Sequence, residues 1–487
     1  MHPDVLVVGA GPVGLTMAAE LSRYGVKVRI VDKSASRTDK SKALVLWPRS
    51  LELMDRMGCT ASFIKAGFKV TATNMISGDR HIAHISLAQL ETPYPYALML
   101  PQSDTERLME QHLNSYGVQV ERQVELTAFT PGVDKVTATL KHADGQQETI
   151  EASWMIGCDG AHSAVRHGLG MEFEGETLPS NWILADLHLA GVPSKPDELD
   201  IFFHAEGVLV LFPITPGRYR VIADVDSPVR TDPTLEQVQA LLDRRGPGGM
   251  VASNPIWLAG FGINERKVAE YRAGRVFLAG DAAHIHSPAG GQGMNTGMQD
   301  AINLAWKLAL VSRGLAGAEP LLGSYSTERS AVGREVLASA GRLTAIATLK
   351  GEMLQALRNR IASLVLGLSP ARRVMTNQLA ELSIGYPDSP LTARGHHRGG
   401  PAAGQRAPIM ASPVGAGDTP RFALFATPDI EATALIARYP ALLEPATRPP
   451  FAEGSIWLVR PDGYVATVAT QWADIGAYLD HVVGSPT

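Results

Sequence analysis

A glycine triplet set between a strand and a helix constrains this chain more than any other feature. Residues 4–9 are a short apolar run, and Gly9, Gly11 and Gly14 then form G-x-G-x-x-G ahead of an amphipathic stretch. The first glycine permits a tight turn, the second lets backbone approach a pyrophosphate, and the third lets helix and strand pack closely. Pro12 falls in the first helical turn, where its missing N–H would have been unpaired anyway. Val13, Leu15, Ala18 and Leu21 mark the inward face, and Gly25 is placed to end the helix. Val26, Val28 and Ile30 then alternate with Lys27 and Arg29 in a second strand that closes on Asp32. A carboxylate there accepts hydrogen bonds from an adenosine ribose, while the helix N-terminus offers free N–H groups to phosphates. A bound dinucleotide is expected, and these residues alone do not separate NAD from FAD.

The rest of the composition bounds the answer. At 487 residues the chain has room for two or three domains of roughly 150 residues each. Lys and Arg number 44 against 49 Asp and Glu, a net charge of −5. Without a basic block, nucleic acid is not an expected partner. Cys59 and Cys158 are the only cysteines, so no disulfide framework or thiolate zinc site is expected, and no metal is assigned. A reducing cytoplasm is the expected location. His2-Pro3-Asp4 gives no positively charged leader, and no run of about 18 apolar residues predicts a membrane span.

Further along, residues 182–189, 199–204, 208–212 and 219–225 predict an antiparallel sheet inserted within the first domain. Residues 276–279 predict a buried strand, 296–311 a strong helix, and 326–382 mostly helix. Gly and Pro crowd residues 385–420, which predicts an irregular connection before a small α/β module.

Two later motifs favour FAD. Gly157-Cys158-Asp159-Gly160-Ala161-His162-Ser163 with Arg166 lies between a strand and a helix. So does Gly280-Asp281-Ala282-Ala283-His284, which runs on through Pro288, Gly290, Gly291, Gln292, Gly293, Met294 and Asn295. With Leu100-Pro101-Gln102 and Thr105-Glu106-Arg107, the chain resembles the single-component flavin-dependent aromatic hydroxylases, the group A flavoprotein monooxygenases of phenol-hydroxylase and polyketide-hydroxylase type. The resemblance covers most of residues 1 to 340.

That resemblance implies an α/β fold: a Rossmann-like FAD-binding domain with an inserted antiparallel-sheet substrate domain and a C-terminal thioredoxin-like module. The expected division is 1–70, 99–176 and 273–335 for FAD, 71–98 and 177–272 for the substrate sheet, 336–395 for a helical region, and 396–487 for the last module. That module is led in by Gly404-Gln405-Arg406-Ala407-Pro408 and has no cysteine, which excludes a redox role.

The resemblance also implies site residues. Asp32 would bind the adenosine ribose, with Lys33 near the adenine. Gln102 and Arg107 would lie along the ribityl and phosphate chain, Asp159 would serve FAD and NAD(P)H, and Asp281 would bind ribityl hydroxyls. Lys42 stands where the family usually has Arg, which changes the geometry of any bidentate contact. Gly9, Gly11, Pro12 and Gly14 of the first motif, with Gly291 and Gly293, read as cradle residues in their own right, and the resemblance adds Gly160, Gly280, Pro288, Met294 and Asn295 from the two later motifs. The helix after Asn295 would turn its positive end toward the flavin and stabilise an anionic reduced ring by up to about 2 kcal/mol.

The implied reaction consumes NADH or NADPH and O2 and hydroxylates a small phenolic or polycyclic aromatic through a flavin C4a-hydroperoxide. The sheet would wall that chemistry from water. Trp182, Phe203, Leu211 and Tyr219 are its expected substrate contacts, with Phe202, Leu209 and Phe212 beside them, although only one parity of each strand can face a cavity. No catalytic residue is identified; His204, Arg218 and Arg220 are candidates for stabilising a phenolate. His162, His284 and His286 read as capping or structural, and Cys158 as a small buried side chain. A homo-oligomer is among the expected partners. A reductase or dehydrogenase of the same fold, and a non-catalytic flavin-binding protein, remain as alternatives.

Overall fold

The computed structural model describes residues 2–38, 41–226, 232–349, 351–393, 395, 399–409 and 412–483. Strand β1 (Val5–Val8), helix α1 (Pro12–Arg23) and β2 (Val28–Asp32) open the chain as the glycine motif predicts. β3 (Ala72–Ser77) and β4 (Arg80–Ser86) form a hairpin, followed by α2 (Gln102–Asn114), β5 (Glu121–Arg122), β6 (Trp154–Gly157) and α3 (Ala164–Gly168). Next come β7 (Glu174–Ala190), β8 (Glu198–His204), β9 (Gly207–Thr215), β10 (Arg218–Val225), α4 (Leu235–Arg245) and β11 (Val251–Lys267). Three short strands, β12 (Arg272–Ala273), β13 (Val276–Leu278) and β14 (His284–Ile285), lead to α5 (Gly293–Ser312), α6 (Gly323–Ala347), α7 (Glu352–Gly367) and α8 (Ser369–Leu379). β15 (Ala423–Phe425), α9 (Ile430–Arg438), β16 (Ile456–Val459), β17 (Val465–Ala469) and α10 (Trp472–Val483) complete the chain.

The first sheet has the order β12-β13-β6-β1-β2-β5. β1 is parallel to both neighbours, with Val5 opposite Trp154 on one side and Val28 on the other. Every residue of β1 is buried, so an unbroken apolar run, not an alternating one, is what this position requires. α1 covers the sheet and packs against α5.

The second sheet has the order β14-β11-β7-β10-β9-β8-β3-β4. It is antiparallel with one exception, because β3 runs parallel to β8. β11, which no sequence pattern announced, pairs with β7 along most of its length. Alternation of side chains divides this sheet into two chemically distinct faces. On one, Leu209, Leu211, Tyr219, Val221 and Ala223 pack on Val238, Leu241 and Leu242 of α4. On the other lie Ile201, Phe203, Val210, Phe212 and Ile222. The expectation that Leu211 and Tyr219 contact substrate is therefore corrected: their parity places them in the core beneath α4.

In the C-terminal module β15, β16 and β17 form an antiparallel sheet. Bridges from Phe422 to Leu443 and from Phe425 to Arg448 add a parallel segment beside β15, giving thioredoxin-like strand order. The module is not packed as a separate body. Trp306 of α5 meets Phe422 edge to face, with ring centroids 5.7 Å apart, within one continuous core. The expected boundary at 335/336 falls inside α6. Among the described residues, no helix is long and apolar enough to cross a membrane.

Candidate active site

A cavity of about 380 Å³ opens where the two sheets meet. One side is polar and glycine-lined, with Gly11, Pro12, Gln102, Gly160, Asp281, Gly291 and Gly293. The other is apolar, with Leu44, Val45, Phe212, Ile222, Ile285 and Met294. Backbone conformation explains the glycines. Gly9 has φ +99°, and a Cβ there would lie 2.5 Å from the Cys158 carbonyl oxygen; at Gly14 a Cβ would lie 1.9 Å from the Gly9 oxygen. Gly11 differs, since it has neither a positive φ nor a neighbour within 4 Å of a built Cβ, while Gly160 has equally open space but a φ of +79° that favours glycine in any case. Both border the cavity, so backbone is left bare where a ligand approaches. Main-chain cradle, carboxylates and apolar wall together fit a flavin dinucleotide.

The acidic residues are held in place by their own turns. Asp32 accepts from the Ala10 N–H at 2.7 Å and from the Ser34 N–H at 2.7 Å, which fixes it over the glycine loop. Asp159 accepts from Ser163 Oγ at 2.5 Å and from the Val165 N–H at 3.2 Å, so both its oxygens brace the start of α3. Asp281 faces the cavity, and burial pushes its carboxyl above the usual range against the opposing pull of His284 and Lys42. Asp300, which the sequence did not single out, supports this region from behind. Its Oδ2 accepts from the Gly280 N–H at 3.0 Å and pairs with His284 Nε2 at 2.8 Å, while Oδ1 accepts from Arg329 Nε at 2.6 Å.

Other expected residues sit at different places. Lys42, Pro288 and Met294 line the cavity. Lys33 is exposed. Arg107 pairs with Asp104 at 2.9 Å and borders a separate groove with Arg37 and Arg122. α2 thus edges both spaces, through Gln102 and Arg107. Asn295 turns its side chain inward: it accepts from the Trp47 N–H at 2.9 Å and donates to the Val45 and Gly291 carbonyls at 2.9 and 3.0 Å. It pins the loop rather than lining the cavity.

Of the three candidates for stabilising a phenolate, only Arg220 reaches the cavity. It is 1% exposed, forms a bidentate pair with Asp186 at 2.7 and 2.9 Å, and donates to the Lys42 and Ser41 carbonyls at 2.8 and 2.5 Å. Its charge is matched and its donors are engaged, so it ties the sheet to the 41–43 loop. Arg218 stands 3.9 Å from Asp186. His204 is corrected outright: it lies at the β8–β9 turn, where Nδ1 accepts from the Glu206 N–H and its carbonyl accepts from Gln355. Trp182 and Phe203 occupy the correct face but cluster with Val208 and Ile263, away from the cavity lining. Cys158 is buried and its thiol is pushed well up, which makes it inert.

The histidines separate. His284 is structural, as expected. His286 is not fully satisfied: its ring lines the cavity and its Nε2 is buried without a partner.

A match to the family described as FAD binding domain spans residues 2–340. The chain belongs to this family. It is 38% identical over 399 residues to 6-methylpretetramide 4-monooxygenase of Streptomyces rimosus, covering 80% of this chain and 71% of that one. A flavin-dependent monooxygenase of Mycobacteroides abscessus is 32% identical over 508 residues, covering 98% and 100%. Among solved structures, OxyS anhydrotetracycline hydroxylase from Streptomyces rimosus superposes with TM-score 0.81 at 28% identity over the whole of both chains. Membership of this FAD-binding family makes the chain an oxidoreductase, a flavin-dependent monooxygenase with FAD as cofactor.

Proposed function

We propose that the chain hydroxylates a phenolic or polycyclic aromatic compound with O2, at the expense of NADH or NADPH. The observation that carries this reading is one cavity with two unlike halves, a glycine and carboxylate cradle opposite a wall of Phe212, Ile222 and Ile285. The printed names of the relatives, among them a pentachlorophenol monooxygenase and a 6-methylpretetramide monooxygenase, agree with an aromatic ring on that wall.

FAD supplies the redox chemistry when bound. Around it, Gly11 and Gly160 would admit the phosphates to the main chain, Gly9 and Gly14 hold the tight turn that shapes the cradle, Asp32 would receive the adenosine ribose, and Asp281 would receive the ribityl hydroxyls. The first N–H groups of α5 lack intrahelical partners and favour negative charge beside Gly293. Asp159 acts through the turn it braces, and Lys33 and Arg107 serve the outer end of the cofactor. The apolar wall excludes water and orients the ring. The expected setting is the cytoplasm and the expected partners are small molecules.

The test is substrate-stimulated NAD(P)H oxidation across a panel of phenolic and polycyclic aromatics, with 18O2 followed into product. Incorporated label is the expected result. Stimulated oxidation with an unlabelled, reduced or desaturated product favours a reductase or dehydrogenase, and bound FAD that no nicotinamide reduces favours a non-catalytic flavoprotein.

A further inference from the structure

The 284–287 segment presents one acceptor to the cavity that the reading above does not use. His286 Nδ1 lies 2.8 Å from the Ser287 carbonyl oxygen, which can only accept, so Nδ1 carries the proton. In the neutral ring Nε2 then bears a lone pair. That atom is buried, has no partner, and sits 3.5 Å from a Cβ built at Gly293, the first residue of α5. Burial keeps the ring neutral and lowers its pKa to about 4, with the neighbouring His284 adding to the effect. The Nδ1 hydrogen bond to Ser287 sets the ring's orientation, and the ring lies parallel to that of His284, with centroids 6.4 Å apart and His284 itself anchored to Asp300. His286 shares the cavity with Phe212, Ile222 and Ile285, the apolar residues that would flank an aromatic ring. The other unclaimed polar groups there are charged. Asp281 and Lys42 sit on the cradle side, where they suit the cofactor.

We propose that His286 Nε2 accepts a hydrogen bond from a hydroxyl of the aromatic substrate and thereby sets which edge of the ring faces the flavin. This rests on the hydroxylase reading. A buried acceptor left unpaired by a ring without a hydroxyl carries a desolvation penalty, so discrimination comes from the acceptor as much as from the bond. The role is positioning: a ring with so low a proton affinity orients a hydroxyl without removing its proton.

The test uses FAD-loaded enzyme titrated with 1-naphthol and with naphthalene, followed by the flavin absorption spectrum. Wild type should prefer 1-naphthol by about ten-fold in Kd. His286→Phe, which keeps an aromatic ring and removes the acceptor, should bind the two alike, and His286→Gln, whose side-chain oxygen can accept, should restore most of the preference. FAD content reports whether each variant folds. An unchanged preference in His286→Phe, no preference in wild type, or no spectral response to either compound would overturn the inference. Labelled-oxygen incorporation by wild type separates these failures from failure of the hydroxylase reading, which would remove incorporation itself.

Discussion

At the scale of single residues, two carboxyl groups, Asp281 on the cavity and Glu381 enclosed in the protein, give separate tests. Asp281 has its face to the cavity, and Asp281→Ala should give folded but flavin-poor protein; FAD released on denaturation, counted per chain, checks it. Glu381 is fully enclosed, accepts from Thr296 Oγ1 at 3.1 Å and Gln299 Nε2 at 2.5 Å, and is pushed by burial from its ordinary 4.5 to about 8. Raised in this way, the folded carboxyl keeps a proton that the unfolded chain has released. Stability is therefore greatest below pH 4.5 as far as this group is concerned, and is lost as pH rises to about 8, at up to about 1.4 kcal/mol per pH unit. Glu381→Gln should flatten that slope in urea unfolding measured across the window. An identical slope in the variant would assign the pH dependence elsewhere.

At the scale of elements, the sheet's two faces make the sharpest distinction. Leu211→Ala, under α4, should cost about 2–5 kcal/mol of stability and leave the ranking of aromatic substrates alone. Phe212→Ala, one residue along on the cavity face, should reorder that ranking at far smaller cost in thermal stability. Chemical denaturation and the substrate panel together read both outcomes. The same pair explains what the sequence could say. Residues 208–212 and 219–225 were legible as strands, yet Leu211 and Phe212 are both large and apolar because each face is covered, so composition could not assign the faces. β11 was not legible at all. Pro255, Gly260 and Gly262 interrupt it, and its residues are half-buried without alternation. The glycine motifs were readable because their steric demands are local: Gly14 must lack a Cβ whatever packs around it. His286 was not, since its importance lies in a missing partner, which no spacing records.

At the scale of the whole molecule, the last module is joined to the rest through charge as well as apolar packing. Glu328 of α6 accepts from Lys307 Nζ of α5 at 2.8 Å and from Arg460 Nη1 at 2.6 Å, and Arg460 also pairs with Asp462 at 2.6 Å. Lys307, Glu328 and Arg460 are fully buried. Removing one partner leaves the others charged without water, so Glu328→Ala should lower stability by about 3–5 kcal/mol. Unfolding should remain a single transition, with tail tryptophan Trp457 and the flavin reporting the same midpoint. A tail that melts first would show that the two parts are independent.

That shared ion cluster fixes the grain along which this protein can vary. Chimeras that exchange everything beyond residue 395 for a foreign appendage would strand Lys307 and Glu328 opposite the wrong surface. An exchange that kept the cluster intact would have to carry α5 and α6 with it, and α5 begins at Gly293, on the lining of the cavity. The distant tail is thereby tied mechanically to the helix that floors the cavity.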